Sequence, residues 1–304
     1  MTQSAYDRCL AEMFSMRRFG IKLGLDIIDS MLEGLGRPEK NFSCIHVAGT
    51  NGKGSIASAL AAILHCAGMR VGLYTSPHLV RFNERICINN RHISDKGVVE
   101  AYRAVKKAAP NEREPTFFEY STAMALYWFA RQGADWAVIE TGMGGRLDAT
   151  NILSPKLCII SNISLEHRYY LGNTIAQVAA EKAGIIKPDT AAITGVHQKS
   201  AAEVIQNTAD EKGAPLFMRG RDFRVRRKRG AQSDLGFTYL GMDHKWTDMR
   251  SSLRGIHQLD NAALVLAACE ILSRQGVSLP LDAVKQGLEN VSWPGRLEVL
   301  ETRP

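Results

Sequence analysis

Residues 45–64 constrain this chain more than any other stretch. Ile45-His46-Val47-Ala48 is an apolar run of strand length. Gly49-Thr50-Asn51-Gly52-Lys53-Gly54-Ser55 follows as a glycine-rich turn, and Ile56 to Leu64 is built from good helix formers. Strand, glycine loop, lysine and helix in that order grip the phosphates of a nucleotide. Glycines let backbone N–H groups turn toward an anion with no Cβ in the way. The helix N-terminus adds donors and the positive end of a dipole. Lys53 brings a mobile full charge, and the Ser55 hydroxyl can meet a phosphate or its Mg²⁺. The strict pattern has Ser or Thr directly after Gly-Lys; here Gly54 intervenes, so the loop is a variant.

Further strands and helices alternate after this unit. Arg70 to Tyr74 reads as a strand, and Thr75-Ser76-Pro77-His78 opens a polar loop. Ile86 to Ile93 reads as a small hairpin around Asn89-Asn90, and Ser94 or Asp95 caps a helix running to Ala109. Phe117 to Gln132 is apolar at helical spacing. Trp136 to Ile139 is a buried strand with Glu140 at its end, and Leu157 to Ile160 is another. Thr174 to Lys187 reads as a helix stopped before Pro188; Ala191 to Ile193 is a short strand, and Ala201 to Lys212 a helix. This alternation predicts an α/β fold: a P-loop-type, mostly parallel sheet with helices on both faces. From Leu216 to Arg250 the segments become short and alternating, which predicts a small antiparallel appendage. Helices at 258–275 and 281–290, and a strand-like segment at 297–300, complete the chain.

With 45% hydrophobic and 23% charged residues, the chain is globular. It lacks both a run of about 18 apolar residues and an N-terminal signal core, so no membrane association and a cytoplasmic location are expected. The six cysteines form no Cys-x-x-Cys pair, which argues against a zinc site or a disulfide frame. Cys44, Cys66 and Cys158 sit in apolar runs and read as small core residues. The net charge of +7 suits a polyanionic ligand. The run Arg224 to Arg229 has no interleaved stacking aromatics, so it reads as a solvated edge strand rather than a nucleic-acid site.

Ligands of open parallel sheets lie at the C-terminal ends of the strands. Ser76, Glu140, Glu166 and His167 all follow such ends, and with Ser55 they can converge on one nucleotide and a divalent metal. Gly142 to Asn151 is the second strong signal: three glycines directly after a buried carboxylate let a ligand approach the backbone.

These motifs carry a resemblance. Gly49 to Ser55, Thr75-Ser76-Pro77-His78-Leu79, Phe118-Glu119-Tyr120, Glu140 to Asn151, Glu181-Lys182-Ala183-Gly184-Ile185, His257 to Ala263 and Pro294-Gly295-Arg296 resemble the folylpolyglutamate synthase/dihydrofolate synthase family of the Mur ligase superfamily. Gly-Lys-Gly-Ser separates that family from the cell-wall Mur ligases, which place Thr after the lysine. The resemblance implies an ATP-dependent carboxylate–amine ligase. ATP phosphorylates a dihydropteroate or folate carboxylate, and L-glutamate attacks the acyl phosphate.

Carried over by motif, Asn51, Gly52, Lys53, Gly54 and Ser55 hold ATP, with Asn261 and Arg296 near the nucleotide. Ser76 and Glu140 correspond to ligands of one Mg²⁺, and Glu140 and His167 to ligands of a second. Lys182 corresponds to a lysine carbamylated by CO₂, whose negative charge suits Mg²⁺. Lys53, Glu140, His167 and Lys182 are thus the implied catalytic set. Phe118, Glu119, Leu147, Asp148 and Ala149 match the pterin pocket, with Ile21-Lys22-Leu23 as a further contact and His78 and Arg85 flanking it. The resemblance implies small-molecule substrates, a monomer and no nucleic-acid partner.

The alternatives are a Mur-type ligase for another carboxylate and a nucleotide-dependent nucleic-acid-binding module. Two departures stand out. Glu166-His167 replaces the family's usual Asp-His. The family also carries a further C-terminal glutamate-ligase domain with an Asp-x-Ala-His-Asn motif. On that reading residues 1–296 are the ATP-binding domain, 216–250 its appendage, and 297–304 a linker stub, with poor ligation expected from the chain alone.

Overall fold

The computed structural model describes residues 4–16, 24–110, 115–227, 236–295 and 297. Eight strands form one sheet: β1 (Ser43–Ala48), β2 (Val71–Tyr74), β3 (Ile86–Ile88), β4 (Arg91–His92), β5 (Trp136–Glu140), β6 (Leu157–Ile160), β7 (Ala192–Thr194) and β8 (Leu216–Met218). Their order is β4-β3-β2-β5-β1-β6-β7-β8. The six strands from β2 to β8 run parallel, while β3 and β4 turn back as an antiparallel hairpin at one edge. β1 lies at the centre, between β5 and β6, so all the loops that follow these strands open at one end of the sheet.

The alternation of β1 sends Ile45 and Val47 to one face and Cys44, His46 and Ala48 to the other. On the first face pack α3 (Lys53–Cys66), α9 (His257–Arg274) and α10 (Leu281–Asn290). Helix α3 is apolar all round and is buried from Gly54 to Leu64. It sits so close to α10 that a Cβ on Gly287 would lie 2.5 Å from the Ile63 Cα. The second face is covered by α1 (Ala5–Ser15), α2 (Asp26–Gly34), α4 (Asp95–Ala108) and α5 (Phe117–Arg131). Beyond them lie α6 (Arg168–Leu171), α7 (Ile175–Ala183) and α8 (Lys199–Glu211). Ser94, rather than Asp95, caps α4 by accepting the Gly97 N–H.

Three expectations change. Residues 216–218 pair with β7 and belong to the main sheet, so the appendage is smaller than 216–250. It consists of β9 (Arg224–Arg227), β10 (Phe237–Leu240) and β11 (Lys245–Met249), in order β11-β10-β9. Helix α7 ends at Ala183 rather than Lys187, because Gly184 packs against the Arg146 backbone and Ile185 and Ile186 turn into the core. Cys66 is only half-buried, whereas Cys44 and Cys158 are core residues. Helices α1 and α2 have no counterpart in the sequence reading. They are short, and residues 17–23 between them lie outside the described set.

The appendage is tied to the domain by one buried carboxylate. Glu270 of α9 accepts the Tyr239 hydroxyl at 2.7 Å and the backbone N–H groups of Met242, Asp243 and His244 from the β10–β11 turn. Among the described residues, no helix is long and apolar enough to cross a membrane.

Candidate active site

The glycine loop leaves β1 at Gly49 with φ of +145°, and a Cβ there would overlap the Ser161 hydroxyl. The segment after β6 then holds the loop. Thr50 donates its N–H to the Asn162 carbonyl at 2.9 Å, Asn51 donates its N–H to the Asn162 side chain at 2.8 Å, and Ser161 Oγ donates to the Asn51 carbonyl at 2.6 Å. Gly52 takes a left-handed φ of +84° and admits Asn261, whose Oδ1 would lie 2.5 Å from a Cβ at that position. Lys53 opens α3, and its Nζ donates to the carbonyls of Gly49 at 2.9 Å and Thr50 at 3.2 Å. Ser55 Oγ accepts from Gln258 Nε2 at 3.3 Å, and Gln258 in turn accepts from Asn261 Nδ2 at 2.8 Å.

The structure also accounts for the variant loop. A Cβ on Gly54 would lie 2.5 Å from the indole of Trp293, so this ring occupies the space that the usual Ser or Thr side chain needs. Trp293 is a site residue that the sequence reading missed. The clue was its position directly before Pro294-Gly295.

Around this loop lies a cavity of about 670 Å³, lined among others by Asn51, Gly52, Lys53, Gly54, Ser55, Ser76, Glu140, Glu166, His167 and Asn261. The expected convergence of strand ends therefore occurs. Glu140 is only 4% exposed, and its Oε2 accepts the Ser76 N–H at 3.0 Å. His197 and Arg219 also line the cavity and were not foreseen, since each sits in a segment without a phosphate-loop signature, and His257 and Asp260 line it from the same 257–263 motif as Asn261. Arg296 lies outside the described residues.

Lys182 lies behind Glu166, which lines the cavity. It is 1% exposed, does not line the cavity, and donates to Glu166 Oε1 at 2.6 Å. Burial pulls its pKa down, and the Glu166 carboxylate opposes that fall. The longer Glu166 side chain thus reaches back to the lysine, while the adjacent His167, at φ +44°, faces the cavity. Among the described residues, no three His, Cys, Asp or Glu side chains cluster closely enough to hold a metal alone. The Ser76 hydroxyl, the buried Glu140 carboxylate and the His167 imidazole beside a phosphate cradle nevertheless fit Mg²⁺, which takes few protein ligands and completes its shell with phosphate oxygens and water.

A second cavity, of about 510 Å³, shares Ser76, Pro77, Gly142 and His167 with the first. Arg85, Phe118, Glu119, Leu147, Asp148 and Ala149 line it as expected, together with Met16, Phe117, Met143 and Tyr170. A Cβ on Gly142 would overlap the Phe118 ring, so the glycine tract lets that ring reach the shared wall. The Glu119 carboxylate accepts the Thr116 N–H at 2.7 Å in a capping box that starts α5. His78 does not line the cavity. Its Nδ1 accepts from Arg85 Nε at 2.7 Å, and it orients that guanidinium over the Phe117 ring. Ile21, Lys22 and Leu23 lie outside the described residues. Arg224, Arg226 and Arg227 are exposed on β9 and line neither cavity.

Residues 47–269 match the model of the Mur ligase middle domain. The chain is 37% identical over 308 residues to the dihydrofolate synthase/folylpolyglutamate synthase of Bacillus subtilis, covering 99% of this chain and 72% of that protein. The chain belongs to the folylpolyglutamate synthase/dihydrofolate synthase family. A solved complex of a folylpolyglutamate synthase with AMPPCP and folate superimposes with a TM-score of 0.91 at 34% identity, covering 97% of this chain and 74% of the other. An Escherichia coli family member solved with DHPP and ADP gives a TM-score of 0.88 at 29% identity, covering 99% and 70%. The match extends over the mostly parallel sheet and the small antiparallel sheet alike.

Proposed function

We propose that this chain serves the ATP-dependent ligation of L-glutamate to the carboxylate of a dihydropteroate or a folate. ATP lies along the glycine loop with its terminal phosphate toward the wall shared by the two cavities. The pterin lies in the second cavity, and its carboxylate reaches that wall. The carboxylate oxygen attacks the γ-phosphorus, ADP leaves, and an acyl phosphate forms. The glutamate amine then attacks the acyl carbon and phosphate leaves, giving the amide. A free carboxylate is a poor electrophile, so the phosphoryl group supplies the leaving group.

The observation that carries this reading is the shared wall of Ser76, Pro77, Gly142 and His167, which lets a phosphate donor and an apolar carboxylic acid meet. Lys53 and the loop N–H groups hold the phosphates, and Asn261 closes over them. Ser76, Glu140 and His167 would hold Mg²⁺, which when bound offsets the charge on the transferred phosphoryl group. Lys182 stands behind Glu166 and His167; as an ammonium it orients Glu166, and as a carbamate it would add oxygen donors. Phe118 stacks on the ring, Asp148 accepts from its edge, and Arg85 and Glu119 border it. We assign the protein to the cytoplasm as a monomer acting on small molecules.

Calorimetric titration tests the reading. Mg²⁺–AMPPCP and dihydropteroate should both bind, and Phe118→Ala should weaken only the pterin. A chain that binds AMPPCP but neither dihydropteroate nor folate would instead be a Mur-type ligase for another carboxylate.

A further inference from the structure

His46 lies on the central strand, is 0% exposed and touches neither cavity, yet it sits at the head of a hydrogen-bonded chain that ends in one. Its Nε2 is 2.8 Å from Thr150 Oγ1, and Thr150 Oγ1 lies 2.5 Å from Asp148 Oδ1. Asp148 lines the apolar cavity at 6% exposure and also accepts the N–H groups of Thr150 at 3.0 Å and Met143 at 2.8 Å. His46 Nδ1 is buried with no hydrogen-bond partner.

That orphan atom decides the direction of the chain. Burial pushes the imidazole pKa down to about 3, with Lys187 pushing the same way, so the ring is neutral and carries one N–H. On Nδ1 that proton would be a buried donor with nothing to meet, which is rarer and costlier than an unmet acceptor. The proton therefore sits on Nε2 and is donated to Thr150 Oγ1. Thr150 has one hydroxyl proton, and it then points at Asp148. We propose that His46 and Thr150 are positioning residues that lock Asp148 as a hydrogen-bond acceptor, facing a ligand edge with adjacent N–H donors. The 2-amino-4-oxo edge of a pterin has that chemistry, so the ligand named here rests on the function proposed above.

The lock has work to do because burial alone raises the Asp148 pKa. Tyr74 on β2 and Lys182 on α7 also act on Asp148, and Arg85, Glu119 and His167 border the same cavity. None of these changes in a Thr150 variant. Thr150→Val keeps the shape and removes the hydroxyl. Thr150→Ser keeps the hydroxyl, and His46→Leu removes the donor at the head of the chain.

Carboxyl ¹³C NMR of the ligand-free chain, with the Asp148 signal assigned through Asp148→Asn, gives its titration midpoint without relying on any activity. The midpoint should rise by about one pH unit in Thr150→Val and His46→Leu and return in Thr150→Ser. An unchanged midpoint in folded Thr150→Val overturns the lock. If the midpoints move as expected but wild-type chain fails to bind dihydropteroate, the lock stands and the pterin reading falls.

Discussion

The two cavities share a wall but are built on opposite principles. The nucleotide cavity is organised around one contiguous run, Gly49 to Ser55, whose main chain is pinned by Ser161 and Asn162. The apolar cavity draws Met16, Arg85, Phe118, Leu147 and Tyr170 from five separate segments, and side chains rather than backbone shape it. Backbone recognition of an anion needs glycines and a helix start at fixed spacing, so it leaves a local signature. Side-chain recognition of an apolar ring needs only shape and a few aimed polar groups, which any segment brought to the spot can supply.

The comparison can be broken at several points. Lys53→Met should cause the largest change, a loss of roughly 30- to 100-fold in AMPPCP affinity, because it removes a charged donor from the phosphates. Dihydropteroate affinity should stay the same, and a parallel loss would mean that the cavities are one energetic unit. Phe118→Ala should invert that pattern, lowering dihydropteroate affinity about tenfold or more through lost apolar contact. Equal effects of both variants on both ligands would abolish the distinction.

Gly54→Ala tests the packing between loop and indole. The added methyl group should lower AMPPCP affinity by about tenfold, since overpacking costs about 1–3 kcal/mol. Trp293→Ala in the same chain should restore part of that loss, and additive losses in the double variant would show that the ring is not the obstacle.

Stability against pH sharpens the apolar side. The folded Asp148 pKa lies above its ordinary value of 3.8, so the folded state holds that proton more tightly than the unfolded chain does. Its contribution is therefore favourable below 3.8 and is lost as pH rises through the folded value. Thr150→Val should extend the loss to higher pH, costing about 1 kcal/mol at pH 7 and less at pH 4 in denaturant melts. Neutralising Arg224, Arg226 and Arg227 should have the smallest effect of all. Neither ligand's affinity should move, and gel shifts should detect no salt-sensitive nucleic-acid binding to lose; a shift abolished by these changes would revive the nucleic-acid alternative.

How legible each part was follows from the same contrast. The loop, the strand ends at Ser76 and Glu140, and the helices α3, α4, α5 and α9 could be read because their signals lie within a few residues of one another. The capping box of α5 was equally local, Thr116 to Glu119, yet its acid also borders a cavity, a double use that spacing does not reveal. His78 was read as a pocket neighbour and turned out to steer Arg85. Residues 216–218 were assigned to the appendage because a short edge strand of a parallel sheet looks like any other short apolar run.

The sequence by itself determined a phosphate-gripping β1–α3 unit in an alternating α/β chain. Those features depend on backbone conformations and periodicities that only certain neighbouring residues can adopt. Only the tertiary structure decided that Lys182 meets Glu166 across 16 positions, that His46 reaches Asp148 through Thr150 across more than 100, and that Trp293 covers Gly54. Buried charges and rings find partners through the packing of distant segments, and no pattern of adjacent residues encodes which segments will meet.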